Sequence, residues 1–189
     1  MEIAKHLFHE RGIEGTTMND IAAEAKIGRS TFYEYFNSKS ELVTYIRALY
    51  LKEMYTQPIK LEPKDTGKEQ LRLVFKTYFQ AMLDQPKIIL FLMEFIRYFK
   101  IQGESEVALT LPEENTYMEL QHAIEKGKLD GSLNPNDVEK NVTIIMESLI
   151  GSATRFAVRE HYTYHGRENG VSNSEMIHLV DIMIDGITL

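Results

Sequence analysis

Residues 16–36, Thr-Thr-Met-Asn-Asp-Ile-Ala-Ala-Glu-Ala-Lys-Ile-Gly-Arg-Ser-Thr-Phe-Tyr-Glu-Tyr-Phe, leave the backbone few choices. Thr17 can cap the free N–H groups of a helix that follows, and Asp20 sits at the third helical position, where a negative charge favours the positive helix end. Ile21, Ala22 and Ala25 recur at helical spacing, and the alanines are small enough for a second helix to come close. Lys26-Ile27-Gly28 breaks the pattern: Ile27 is apolar enough to plug a core, and Gly28 tolerates the backbone of a turn or N-cap. A second short helix then runs from Arg29, burying Phe32 and Phe36 and turning Arg29, Ser30, Thr31, Tyr33 and Tyr35 partly outward. Two short helices at a tight turn make a helix-turn-helix, whose second helix suits a DNA major groove.

The surrounding residues extend that pattern. Ile3-Ala4-Lys5-His6-Leu7-Phe8 and Gly12 precede it, and Thr31-Phe32-Tyr33-Glu34-Tyr35-Phe36-Asn37-Ser38-Lys39-Ser40-Glu41-Leu42 completes it. Residues 3–46 resemble the tetracycline-repressor (TetR/AcrR) family, most specifically in the run from Thr31 to Leu42, over about a quarter of the chain. The resemblance implies a base-reading side chain at Arg29, phosphate contacts from Tyr33 and Lys39, and support from Thr17, Ser30 and Thr31. Arginine pairs bidentately with guanine, and a threonine offers a hydroxyl to phosphate and a methyl to thymine. Glu34 and Gly28 depart from the frequent residues at their positions, and Glu34 is expected to point away from phosphate. The family carries a further turn of helix and a short basic arm ahead of this region. Either that arm precedes this sequence, or its phosphate contacts are absent.

Elsewhere the periodicity is helical throughout. A first helix spans Met1 to Glu10 and stops at Arg11-Gly12; Ser38 to Glu41 caps a fourth that runs to about Tyr55. After a linker from Gln57 to Pro63, Thr66-Gly67-Lys68-Glu69 opens a helix to Met82 or Leu83. Pro86 to about Lys100 is apolar almost all round, as a central helix would be. Gly103 to Leu111 reads as a loop, and Pro112 starts a helix through about Lys126, closed by Gly127 and Asp130-Gly131. Asn134-Pro135 opens a long helix to about Glu160, and Ser172 to Glu175 caps the last. The class is all-α, about nine helices. The expected division is a three-helix helix-turn-helix domain over 1–46 and a helical effector-binding and dimerisation domain over 47–189. The resemblance implies that the last two helices pair with a second copy, and the stripe Met176, Val180, Met183, Ile184 and Ile187 independently asks for a partner.

Charge sets a condition on DNA binding. The net charge is −7, and residues 1–57 hold seven Lys and Arg against eight Asp and Glu. Affinity for a polyanion must therefore rest on where a few cations sit. Zero cysteines exclude a disulfide scaffold and thiolate metal sites, and fit a cytoplasmic protein. No apolar run is long enough to span a bilayer, so no membrane partner is expected. His161 and His165 stand four apart without a third ligand in view; no metal, cofactor or catalytic constellation is signalled, and an enzyme is not expected.

A small-molecule effector is the partner that the helical body suggests. Candidate lining residues are Phe75, Tyr78, Phe79, Met82, Phe91, Glu94, Phe95, Tyr98, Met118, Met146 and Phe156. Glu94, a carboxylate in an apolar run, would pair with Arg97 or Arg155, or receive a polar group of the ligand. The expected protein is a homodimeric regulator, a repressor released from operator DNA by an apolar or aromatic effector. Two readings stand beside it: a DNA-bound adaptor recruiting a protein without any effector, and a helical carrier or enzyme that lost DNA binding.

Overall fold

The computed structural model describes residues 1–54, 59–103, 114–134, 136–161 and 172–186; at 114–117 and 161 it describes the backbone alone. Among these residues there are nine α-helices and no strand: α1 Glu2–Arg11, α2 Met18–Glu24, α3 Arg29–Tyr35, α4 Lys39–Met54, α5 Gly67–Asp84, α6 Pro86–Ile101, α7 Glu114–Asp130, α8 Val138–His161 and α9 Asn173–Gly186. The chain forms two compact units. One holds Met1–Glu53 and Lys87–Thr110, the other Met54–Pro86 and Leu111–Leu189. Gln57-Pro58, the 104–111 loop, Pro112, Pro135, His165 and Ile187, singled out above, lie outside the described residues.

In the first unit, Ala4, Leu7 and Phe8 bury one face of α1. Gly12, at φ 74, ends the helix and donates its N–H to the Phe8 carbonyl. This left-handed backbone costs glycine little. Thr17 and Asp20 form a reciprocal capping box on α2: the Thr17 hydroxyl accepts the Asp20 N–H at 3.1 Å, and the Asp20 carboxylate accepts the Thr17 N–H at 2.8 Å. Those bonds hold the Asp20 carboxyl below its ordinary range, the Thr17 hydroxyl contributing most. Leu42, Val43 and Ile46 of α4 are fully buried. Its start differs from a simple box: Glu41 donates its N–H to the Ser38 hydroxyl, while its carboxylate accepts from the Asn37 N–H and side-chain amide. α6 belongs to this unit. Phe91 lies against Phe8, His9 and Tyr50, at 6.2, 6.4 and 5.0 Å between ring centroids. Its helix is not apolar all round in place, for Met93, Glu94, Arg97, Lys100 and Ile101 share an exposed face.

In the second unit, α5 buries Leu71, Val74, Phe75, Phe79 and Met82. Thr66 and Glu69 make the expected capping box. The next two N–H groups of α5 are also taken, that of Gly67 by the Asp130 carboxylate at 2.8 Å and that of Lys68 by the Ser132 hydroxyl at 3.0 Å. Of the two stops expected for α7, Gly127 lies inside the helix, while Asp130 ends it and Gly131 turns at φ 74. The reason is packing. A Cβ on Gly67 would overlap the backbone of Gly127, and a Cβ on Gly127 would overlap the Leu133 side chain, so both glycines serve a close crossing. α9 is tied to α5 by charge. Arg72 reaches Asp181 at 2.9 Å and Asp185 at 2.6 Å, and Lys76 reaches Asp181 at 2.7 Å. Held chiefly by Lys76 and then Arg72, the Asp181 carboxyl falls to about 2.

Candidate nucleic-acid interface

The exposed side of α3 follows from its burial pattern. Phe32 is the residue that α3 buries, packing edge-on to Phe36 at 6.1 Å between centroids; Phe36 in turn meets Tyr45 of α4 at 5.6 Å. With that side anchored, Arg29, Ser30, Thr31, Glu34 and Tyr35 are exposed, and Tyr33 is half-buried. The Arg29 guanidinium lies 5.4 Å from the Tyr33 ring centroid, one helical turn on. Stacking on an aromatic face costs arginine none of its forked donors, so the N–H groups remain available to an acceptor. Gly28 is the N-cap of this helix in extended backbone, without a side-chain cap.

The other two residues expected here are engaged within the protein. Thr17 is exposed at the start of α2, but its hydroxyl is engaged with Asp20, to which it donates at 2.6 Å. Lys39, expected at phosphate, turns onto the loop between α1 and α2. Its ammonium donates to the carbonyls of Ile13 at 2.8 Å and Thr16 at 3.1 Å, and it lies 5.2 Å from the Tyr98 ring centroid. Carbonyls gathered at a turn attract a cation, as those at a helix C-terminus do.

Glu94 does not form the ion pair expected of it among the described residues. Its carboxylate accepts the backbone N–H of Ile13 at 2.8 Å, with no ion pair to Arg97 or Arg155 among the described residues. It lies over Gly12, where an added Cβ would sit 3.3 Å from the carboxylate oxygen. One buried peptide, Ile13, therefore has its N–H held from α6 and its C=O held from α4. Sequence reasoning missed this because a backbone donor has no signature of its own.

The remaining lining candidates divide between the units. Phe91, Phe95 and Tyr98 pack in the first unit: Arg47 stands 5.2 Å over Phe95, and Tyr98 meets the Ser40 hydroxyl at 3.2 Å. In the second, Phe75, Tyr78, Phe79, Met82 and Phe156 are buried, Met146 is half-buried, and Met118 is 65% exposed. The Tyr78 hydroxyl donates to Glu119 at 2.6 Å, a polar pair within apolar surroundings. No group of three His, Asp or Glu able to hold a metal occurs among the described residues, and none of their helices is long and apolar enough to cross a membrane.

These elements define a class: a helix-turn-helix in a chain whose described residues form helices and no strand. Residues 1–46 match the model of the bacterial regulatory proteins, tetR family. An HTH-type transcriptional regulator of Staphylococcus aureus (strain bovine RF122 / ET3-1) is 45% identical over 56 residues, 30% of each chain. The match thus spans less than a third of that relative. A TetR family transcriptional regulator from Thermus thermophilus superposes with a TM-score of 0.67 at 21% identity, over 97% of this chain and 96% of its own. A TetR variant from Acinetobacter baumannii AYE, in complex with minocycline, gives 0.61 at 17%, over 98% and 92%. At these identities the structures show a shared fold.

Proposed function

We propose that the protein is a homodimeric transcriptional regulator, a repressor that leaves its operator when a small apolar or aromatic effector binds. The observation that carries it is the exposed face of α3, where Arg29, Ser30, Thr31 and Tyr33 stand together within the stretch that matches the tetR-family model. Residues 1–46 read the DNA, and residues 47–189 bind the effector and dimerise. Two copies of α3 enter successive major grooves about 34–36 Å apart on a near-palindromic site.

The dimer rests on α8 and α9. α8 turns Val142, Ile145, Leu149, Ala153 and Phe156 inward, yet Ile144 is 53% exposed and Val158 43%, with Gly151 open between them. α9 buries Val180 and Ile184 while leaving Ile182 60% exposed. An apolar face with a bare glycine at its middle suits close approach of a second helix pair. Support for an effector comes from the minocycline complex of the neighbour of similar fold. In this chain the aromatic core around Phe75, Tyr78 and Phe79, with the Tyr78–Glu119 pair as its polar handle, suits a flat molecule bearing a donor. The effector and DNA oppose each other reciprocally. A role on DNA implies a cytoplasmic protein.

Fluorescence anisotropy against the duplex upstream of its own gene, beside a scrambled duplex, tests the reading. Selective binding by two protomers per site is expected, lost in Arg29→Ala and Tyr33→Ala. Equal, weak binding to both duplexes by the native protein overturns it.

A further inference from the structure

Among the described residues, positive φ occurs at Gly12, Gly103 and Gly131, and at one residue that is not glycine: Lys26, at φ 55. Lys26 lies at the turn between α2 and α3. The Lys26 N–H donates to the Ala23 carbonyl at 3.1 Å, and the Ile27 N–H to the Ala22 carbonyl at 3.1 Å. This paired return to the last turn of a helix is the closure that glycine serves best, because it needs a left-handed residue and no side chain. Everything the turn requires of position 26 is backbone. A glycine would make both bonds without strain. A strained side chain kept where none is needed points to work done by that side chain.

Lys26 is exposed, and among the described residues its ammonium has neither an ion pair nor a hydrogen bond. It stands three residues ahead of Arg29. When a helix-turn-helix docks, its first helix crosses the DNA backbone and its second enters the groove, so the connecting turn stands at the groove wall. The anions at that wall are phosphate oxygens. We infer that Lys26 contacts a DNA phosphate, one per protomer. The contact adds affinity without sequence preference in a head whose first 57 residues carry no net positive charge. The inference rests on the DNA-binding reading above.

Strain and charge make opposite demands on position 26, and the test uses that. Lys26→Gly removes both, Lys26→Met keeps the strain and removes the charge, and Lys26→Arg keeps both. Binding to a labelled duplex of about 30 base pairs from upstream of the gene, enough for two successive grooves, is followed across a salt series. Lys26→Gly is expected to raise Tm by about 1–4 °C while weakening DNA binding. Lys26→Met weakens binding to the same extent without the gain in Tm. For two contacts per dimer the slope of log K against log salt falls by about 1.8, with affinity roughly 10- to 60-fold lower at about 0.1 M salt. The loss is equal for the scrambled duplex, and Lys26→Arg restores both readouts. If Lys26→Met keeps the native slope while Arg29→Ala abolishes selective binding, the phosphate contact is refuted and the regulator stands. A lower Tm in Lys26→Met with an unchanged slope assigns the ammonium to the α2 carbonyls instead, and also refutes it. Native protein that binds no duplex refutes both.

Discussion

Replacing Glu94 by alanine tests the account of the α1–α2 loop most directly. Ile13 is 1% exposed, and its N–H donates to the Glu94 carboxylate at 2.8 Å. A hydrogen bond to a charged acceptor contributes about 1.5–3 kcal/mol, and a buried donor left without one costs about 1–3 kcal/mol. These describe the same loss, so they are not summed; the expected destabilisation of Glu94→Ala is about 2 kcal/mol. For a chain of this size that lowers Tm by about 4–8 °C. Glu94→Gln retains an acceptor oxygen in place, so it should cost less than about 1 kcal/mol. The local readout is amide exchange at Ile13. Opening becomes easier by about 2 kcal/mol, a rise of roughly 30-fold in the alanine variant, at matched protein concentration. The Ile13 carbonyl keeps its separate hold from Lys39, so the loop loses one tie and not both. Should Glu94→Ala melt within a degree of the native protein and leave Ile13 exchange unchanged, the bond does not hold the loop and the argument fails.

Two further substitutions probe the second unit. Gly67→Ala sets a Cβ against the backbone of Gly127, which cannot swing aside as a side chain could, so a loss of about 3 kcal/mol or more is expected in urea unfolding. A midpoint within error of the native one would show that the α5–α7 crossing is slacker than described. Asp181 predicts an acid limb: its folded pKa of about 2 lies below the ordinary 3.8, so its stabilisation is complete above about pH 4 and lost as pH falls towards 2. Because its side chain is 25% exposed, that contribution is about 1 kcal/mol after screening, and Asp181→Asn should flatten the limb; identical pH profiles for the two proteins would refute it.

The sequence reveals helices well and their partners poorly. Caps at Thr17, Thr66 and Ser172 are short-range chemistry, so helix starts could be placed from neighbouring residues alone. Gly127 shows the limit. A glycine after a lysine reads locally as a stop, but the Leu133 side chain fills the place a Cβ would take there, and tertiary contact outweighs a local preference. α6 shows it again. Its composition announces burial, yet nothing in its period says that it joins α1–α4 in one unit. At the candidate interface, burial of Phe32 fixes which side of α3 faces outward, and period alone foretold that. Lys26 was not foretold: the turn's glycine, Gly28, serves as the extended N-cap of α3, and the left-handed closure of α2 falls on a lysine two positions earlier.

Internal commitments decide how much positive charge the head can offer an anion. Lys5 commits its ammonium to Glu2 and Glu53, at 3.4 and 3.3 Å, and Lys39 commits its own to loop carbonyls. Burial lowers the pKa of Arg47, whose guanidinium stacks over Phe95. A count of cations therefore overstates what a phosphate would meet, and the even balance of the first 57 residues is less favourable than it looks. What remains near α3 is Arg29 and Lys26, with Glu34 exposed on the same helix as an opposing charge. Under the DNA-binding reading proposed above, gross attraction to any duplex is then weak, and selectivity gains from the same scarcity. On that reading, a head that draws little from phosphate contacts depends on Arg29 and Thr31 meeting the right bases, and loses proportionately more when they do not.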